Sequence, residues 1–78
     1  MTEISLATLA KQYAEATVQA WHVEEGDPVE AGDDLVDLIT EDGVVTIPAP
    51  VSGVLVEVYF DAGELAGPDD LLCVIEKA

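Results

Sequence analysis

Residues 16–39, shifted by 37 positions, fall on residues 53–76 with the same pattern of apolar, acidic and turn-forming side chains. Apolar meets apolar at Val18/Leu55, Trp21/Val58, Val23/Phe60, Val29/Ala66, Leu35/Leu72, Val36/Cys73 and Leu38/Ile75. Gly26 meets Gly63, and acid meets acid at Glu24/Asp61, Asp27/Glu64 and Asp33/Asp70. A unit seen only twice cannot stack into a solenoid, which needs at least about three units to bury a continuous core. Two copies instead imply two halves related by an internal pseudo-dyad, each giving strands to two facing sheets.

The local pattern agrees. Turn formers recur at short intervals (Gly26-Asp27-Pro28, Gly32-Asp33-Asp34, Asp42-Gly43, Pro48-Ala49-Pro50, Ser52-Gly53, Gly63-Glu64, Gly67-Pro68-Asp69-Asp70), and between them lie short runs rich in Val, Ile, Leu and Thr. Strands are predicted over 17–23, 35–40, 44–47, 54–60 and 71–76, the signature of a sandwich or barrel. Glu41-Asp42-Gly43, between two β-branched runs, is the best hairpin signal, because Asp and Gly tolerate the positive φ of a tight primed turn. Residues 6–16 read differently: Leu6, Leu9, Ala10 and Tyr13 fall at helical spacing, but so short a helix is marginal without packing. A loop with one helical turn is expected there.

Composition narrows the function. With 78 residues, half of them hydrophobic, the chain can close one modest core and no second. Seventeen acidic residues against two basic ones give a net charge of −15, which repels phosphate backbones and anionic headgroups. Neither nucleic acid nor a membrane surface is therefore an expected partner. One cysteine cannot form an internal disulfide, no leader pattern opens the sequence, and the apolar runs are far shorter than a bilayer span. A reducing, cytoplasmic setting is the expectation.

Single residues offer little chemistry. Trp21, matched to Val58 in the repeat, is expected to pack in the core. His22, matched to Tyr59, has no second His and no Cys placed to form a metal site and is expected on a strand face turned partly outward. Cys73 lies in an apolar run and reads as a small buried hydrophobe rather than a nucleophile. Asp33, Asp34, Asp37, Glu41 and Asp42 offer oxygen ligands for a hard cation, but their spacing fits no cation loop and alternate strand positions face opposite ways. A solvated acidic face, with no metal, is expected. No Ser-His-Asp set, phosphate loop or HExxH motif occurs, so the chain is not expected to be an enzyme.

The string Val18-Gln19-Ala20-Trp21-His22-Val23-Glu24-Glu25-Gly26-Asp27-Pro28-Val29, followed by Gly32 and Leu35, then Ile47-Pro48-Ala49-Pro50-Val51-Ser52-Gly53-Val54-Leu55, then Gly63 and Leu72, resembles the lipoyl domains of 2-oxoacid dehydrogenase acyltransferases. The resemblance runs from residue 16 onward. It implies an all-β fold, a flattened barrel of two four-stranded antiparallel sheets, with residues 1–78 forming a single lipoyl-like domain. In that family a lysine at the tip of an exposed hairpin carries lipoate, and related domains carry biotin on the same hairpin between methionines.

Family hairpins read roughly Glu-Thr-Asp-Lys-Ala, whereas this chain reads Ile39-Thr40-Glu41-Asp42-Gly43, placing Asp42, flanked by Glu41 and Gly43, at the attachment position. Attachment makes an amide from a primary amine, which a carboxylate cannot replace. The resemblance therefore implies a lipoyl-like module without lipoate or biotin at its hairpin, and the acidic charge makes a docking protein with a basic surface the expected partner. Only Lys11 and Lys77 remain as amines. The family fold puts Lys77 at the opposite end from the hairpin, and puts Lys11 in a loop beside it. A true carrier modified at Lys11 is the alternative, although an ordinary solvated lysine is the expected state there. Ala7-Thr8-Leu9-Ala10-Lys11 replaces the family's Pro-x-Leu-Gly, and Ala16 replaces a common glycine. A third reading is a fragment of a membrane-fusion adaptor. Those proteins insert a long helical hairpin between the halves, whereas only 13 residues, 40–52, separate them here.

Overall fold

The computed structural model describes residues 2–77. Its elements are β1 (Thr2–Ser5), α1 (Leu6–Ala10), β2 (Ala16–Trp21), β3 (Pro28–Val29), β4 (Asp34–Thr40), β5 (Gly43–Pro48), β6 (Gly53–Val58), β7 (Leu65–Ala66) and β8 (Leu71–Lys77). They form two four-stranded antiparallel sheets, ordered β1-β8-β6-β3 and β5-β4-β2-β7.

The 37-residue shift carries β2, β3 and β4 onto β6, β7 and β8, end for end. Applied to sheet order, it exchanges the two sheets and pairs β5 with β1. Each half thus gives its two-residue strand to the sheet of the other half. Irregularities in pairing repeat with the same offset: a bulge between Val18 and Ala20 reappears between Leu55 and Glu57. Turn chemistry repeats too. Asp27 accepts from the Glu24 amide at 3.0 Å as Glu64 accepts from the Asp61 amide at 2.7 Å, and Asp33 on Glu30 matches Asp70 on Gly67. Of the matched acids of the repeat, Asp27/Glu64 and Asp33/Asp70 are therefore turn-closing side chains, each satisfying a backbone donor that a tight bend leaves open, while Glu24/Asp61 supply the amides that the first pair receives.

The core lies between the sheets. Val18, Leu35, Val36, Leu38, Leu55, Leu72, Cys73 and Ile75 are fully buried, joined by Ile4 and Leu6, and no polar side chain among the described residues is buried with them. Trp21 is half-buried against this core, and its indole Nε1–H donates to the Phe60 carbonyl at 2.8 Å, tying the end of β2 to the segment that follows β6. The early segment forms a single turn of helix, shorter than its helical spacing reaches. Ser5 caps it by accepting from the Thr8 amide at 3.3 Å, and Leu6 and Ala10 face inward. After Ala10 the chain turns so that Tyr13 can also enter the core.

Candidate functional site

Thr40 pairs with Gly43, so only Glu41 and Asp42 connect β4 to β5. The expected positive φ at both Asp42 and Gly43 is not what forms: Gly43, at φ +96°, carries it alone, and no described non-glycine residue has a positive φ. Thr40 supplies the reason. Its Oγ1 accepts from the Asp42 amide at 3.1 Å and donates to the Gly43 carbonyl at 3.0 Å. That side-chain turn keeps Asp42 in an ordinary conformation and leaves the left-handed step to the residue without a Cβ.

Glu41 and Asp42 stand exposed at the tip. Asp42 nevertheless has a partner the sequence did not reveal: Tyr13 Oη–H donates to its Oδ2 at 2.9 Å. The Tyr13 ring is buried, and its backbone N–H donates to the Ala10 carbonyl at 3.1 Å, so the loop after α1 is latched against the hairpin. Between that loop, the hairpin stem and β7 runs a surface groove of about 350 Å³, walled by Tyr13 to Thr17, Ile39 to Glu41, and Leu65. Lys11, exposed, ends α1. Lys77 pairs with Gly53, at the dyad counterpart of the end where Thr17 pairs with Ile39.

A second polar group lies on the outer face of the same sheet. His22 is exposed, and its Nε2 lies 2.8 Å from Asp37 Oδ1, which also accepts from Thr46 Oγ1–H at 2.7 Å. The hydrogen bond to Asp37 raises the His22 pKa above its ordinary 6.5, with a smaller push from the charges of Asp37 and Asp34. Asp37 is lowered below its ordinary 3.8, first by the His22 bond and then by Thr46. Thr46 bonds to the carboxylate rather than to the imidazole, so no hydroxyl here is activated by a base. Cys73 is buried, and burial pushes its thiol up to about 11.

Three of the five acidic residues weighed as cation ligands are individually engaged. Asp33 closes its turn on Glu30, Asp37 holds His22, and Asp42 holds Tyr13. Among the described residues no three His, Cys, Asp or Glu side chains are grouped to hold a metal ion.

Comparison with known proteins places these features. A family model described as biotin-requiring enzyme, of the biotin/lipoyl type, matches residues 2–75. The dihydrolipoyllysine-residue succinyltransferase component of the 2-oxoglutarate dehydrogenase complex of Bartonella vinsonii is 36% identical over 75 residues, covering 96% of this chain and 18% of that protein. The corresponding Bacillus subtilis protein is 35% identical over 77 residues, covering 99% and 18%. The acetyltransferase component of the pyruvate dehydrogenase complex of Staphylococcus epidermidis is 32% identical over 74 residues, covering 95% and 17%. The chain thus spans less than a fifth of the length of these relatives. The solution structure of the lipoyl domain of the 2-oxoglutarate dehydrogenase complex from Azotobacter vinelandii superposes with a TM-score of 0.78 at 26% identity, covering 99% of this chain and 98% of that one.

Proposed function

This chain belongs to the biotin/lipoyl family, as a domain of the 2-oxoacid dehydrogenase acyltransferase type, and we propose that it is a non-enzymatic docking module that carries neither lipoate nor biotin on its hairpin. The observation that carries this reading is Asp42. It stands in the two-residue turn between β4 and β5, the position at which the family resemblance puts the attachment lysine. Lipoate and biotin attach by amide formation: a lysine amine attacks the activated carboxyl of the cofactor and expels its leaving group. A carboxylate has no nitrogen to form that bond. Asp42 also has a task of its own, since it accepts the Tyr13 hydroxyl and fixes the loop that walls the groove.

The partner is a protein with a basic surface, within a 2-oxoacid dehydrogenase type assembly or among the enzymes that handle lipoyl groups. A net charge of −15 gives such a surface a long-range pull that speeds encounter and weakens with salt. The test is an intact mass of the chain after expression beside active lipoate- and biotin-attaching enzymes. The unmodified mass is expected, and an adduct on either lysine overturns the non-carrier reading.

One observation favours a second reading. The relatives are named for a dihydrolipoyllysine residue, and the loop that follows Lys11 is latched to the hairpin through Tyr13. On that reading the chain is a carrier modified at Lys11, and the same mass measurement, followed by peptide mapping, identifies the site.

A further inference from the structure

The register of the β5-β4-β2-β7 sheet places Val44 opposite Ile39, Ile39 opposite Thr17, and Thr17 opposite Leu65. These four residues make one row across all four strands on the outer face. Three of them are large apolar side chains left open: Val44 is 57% exposed, Ile39 44% and Leu65 58%. Isolated exposed apolar residues are ordinary, whereas a contiguous row beside a groove is the composition of a contact surface.

The pseudo-dyad supplies an internal control on whether the fold itself needs this row. Shifting by 37 carries Ile39 to Glu76 and Thr17 to Val54, and carries Pro28 to Leu65. The equivalent row of the other sheet is Pro28, Val54 and Glu76, with Pro28 opposite Val54 and Val54 opposite Glu76. The same strand geometry therefore accommodates a carboxylate where the hairpin end shows isoleucine. Strand pairing does not require Ile39 to be apolar, and its side chain contributes little to the core from an exposed face.

We propose that this row, Val44–Ile39–Thr17–Leu65, is the docking surface of the domain, and that it receives a protein partner presenting an apolar side chain ringed by lysine or arginine. The inference rests on the docking reading above and gives it a location. Charge complementarity selects the occupant. Glu15 and Glu41 line the groove beside the row, and Glu64 immediately precedes Leu65. An apolar centre with an acidic rim fits an apolar knob with a basic rim. A second copy of the chain would bring the same acidic rim against itself, with −15 on each side.

The test is a titration of the 15N-labelled domain, followed by amide chemical shifts, with three capped pentapeptides: Lys-Leu-Lys-Leu-Lys, Lys-Ser-Lys-Ser-Lys and Glu-Leu-Glu-Leu-Glu. The first is expected to move Thr17, Ile39, Val44 and Leu65 at concentrations at least about tenfold below those the second needs, and the third to move none of them. Ile39→Gln and Leu65→Gln, each at an exposed position, are expected to weaken the first peptide by about tenfold with unchanged melting temperature. Val54→Gln, on the other sheet, is expected to leave it unchanged. Equal response to the leucine and serine peptides overturns the proposal, because charge alone then explains binding. Shifts centred on Val54 and Glu76 overturn it as well. So does concentration-dependent dimerisation in sedimentation that Ile39→Gln abolishes, because the row is then a self-contact. The mass measurement is independent of all three arms, so an adduct found there refutes the non-carrier reading without touching the peptide result.

Discussion

Gly53→Ala tests the architecture at its tightest point. Gly53 opens β6 between Val29 of β3 and Lys77 of β8. A Cβ added there would overlap the Glu76 carbonyl oxygen and lie 2.8 Å from its carbon and 2.9 Å from Ile75 Cγ2. Two of the three obstacles are backbone atoms, so relief requires β6 and β8 to move apart. Overpacking of this kind costs about 1–3 kcal/mol, and backbone obstacles place it in the upper half of that range. The reduced entropy of the unfolded chain returns about 0.4–1 kcal/mol. The net loss is about 2 kcal/mol. With an unfolding entropy of about 2.1 cal/mol/K per residue, a chain of this size shifts by about 6 °C per kcal/mol, so the melting temperature should fall by about 12 °C. Thermal melts followed by circular dichroism measure it directly. The dyad counterpart, Ala16, already accommodates a Cβ in a buried position, so Ala16→Gly should cost only about 0.5–1 kcal/mol through added backbone freedom. Equal stability of Gly53→Ala and the parent would refute the β6–β8 register and the close approach derived from it.

Three further outcomes are expected. NMR titration of His22 should give a pKa above 6.5 that falls back in Asp37→Asn, since the Asp37 bond is its main cause. Because the folded value is raised, the stabilisation from this pair is fully present between pH 3.8 and 6.5 and lost as pH rises through the folded value. Because Asp37 is lowered, the contribution is also lost as pH falls below 3.8 through its folded value. Cys73, buried with a thiol pKa of about 11, should resist alkylation at pH 8 in the native state and react at the rate of global opening. Raising ionic strength from low to moderate should raise the melting temperature, because crowded carboxylates repel across a Debye length of about 10 Å at 0.1 M salt. A flat or falling profile would mean that those charges are paired.

The parts of the fold legible in the sequence were those carried by repetition. The 37-residue shift named the fully buried pairs Val18/Leu55, Leu35/Leu72, Val36/Cys73 and Leu38/Ile75, because a repeated inward position leaves the same apolar mark twice. The same shift matched the exposed pair His22/Tyr59, although the two residues follow β2 and β6 rather than standing on a strand face as expected of His22. β1 left no such mark. In Thr2–Ser5 only Ile4 is buried, and its partner β8 lies about seventy residues away. β3 and β7 are two-residue pairings set by the opposite half, below the length at which alternation can be read. The site was half legible. Glu41 and Asp42 were placed at the tip by turn chemistry alone, whereas Gly43, expected with them, opens β5 opposite Thr40. The Tyr13 bond to Asp42, the Asp37 bond to His22 and the row through Val44, Ile39, Thr17 and Leu65 all depend on long-range pairing, which no local window contains.

Whether Asp42 alone withholds the cofactor is decided by one comparison, the intact masses of the parent chain and Asp42→Lys after expression beside an active lipoate-attaching enzyme. The turn keeps its length and its Thr40 and Gly43 contacts, and the new amine projects from the exposed tip, while the Tyr13 bond is lost. The parent should show its sequence mass, and the variant should gain one lipoyl group at residue 42. A folded Asp42→Lys that stays unmodified, or a lipoyl group on the parent, would contradict the assignment of this hairpin as an attachment site disabled by a single residue.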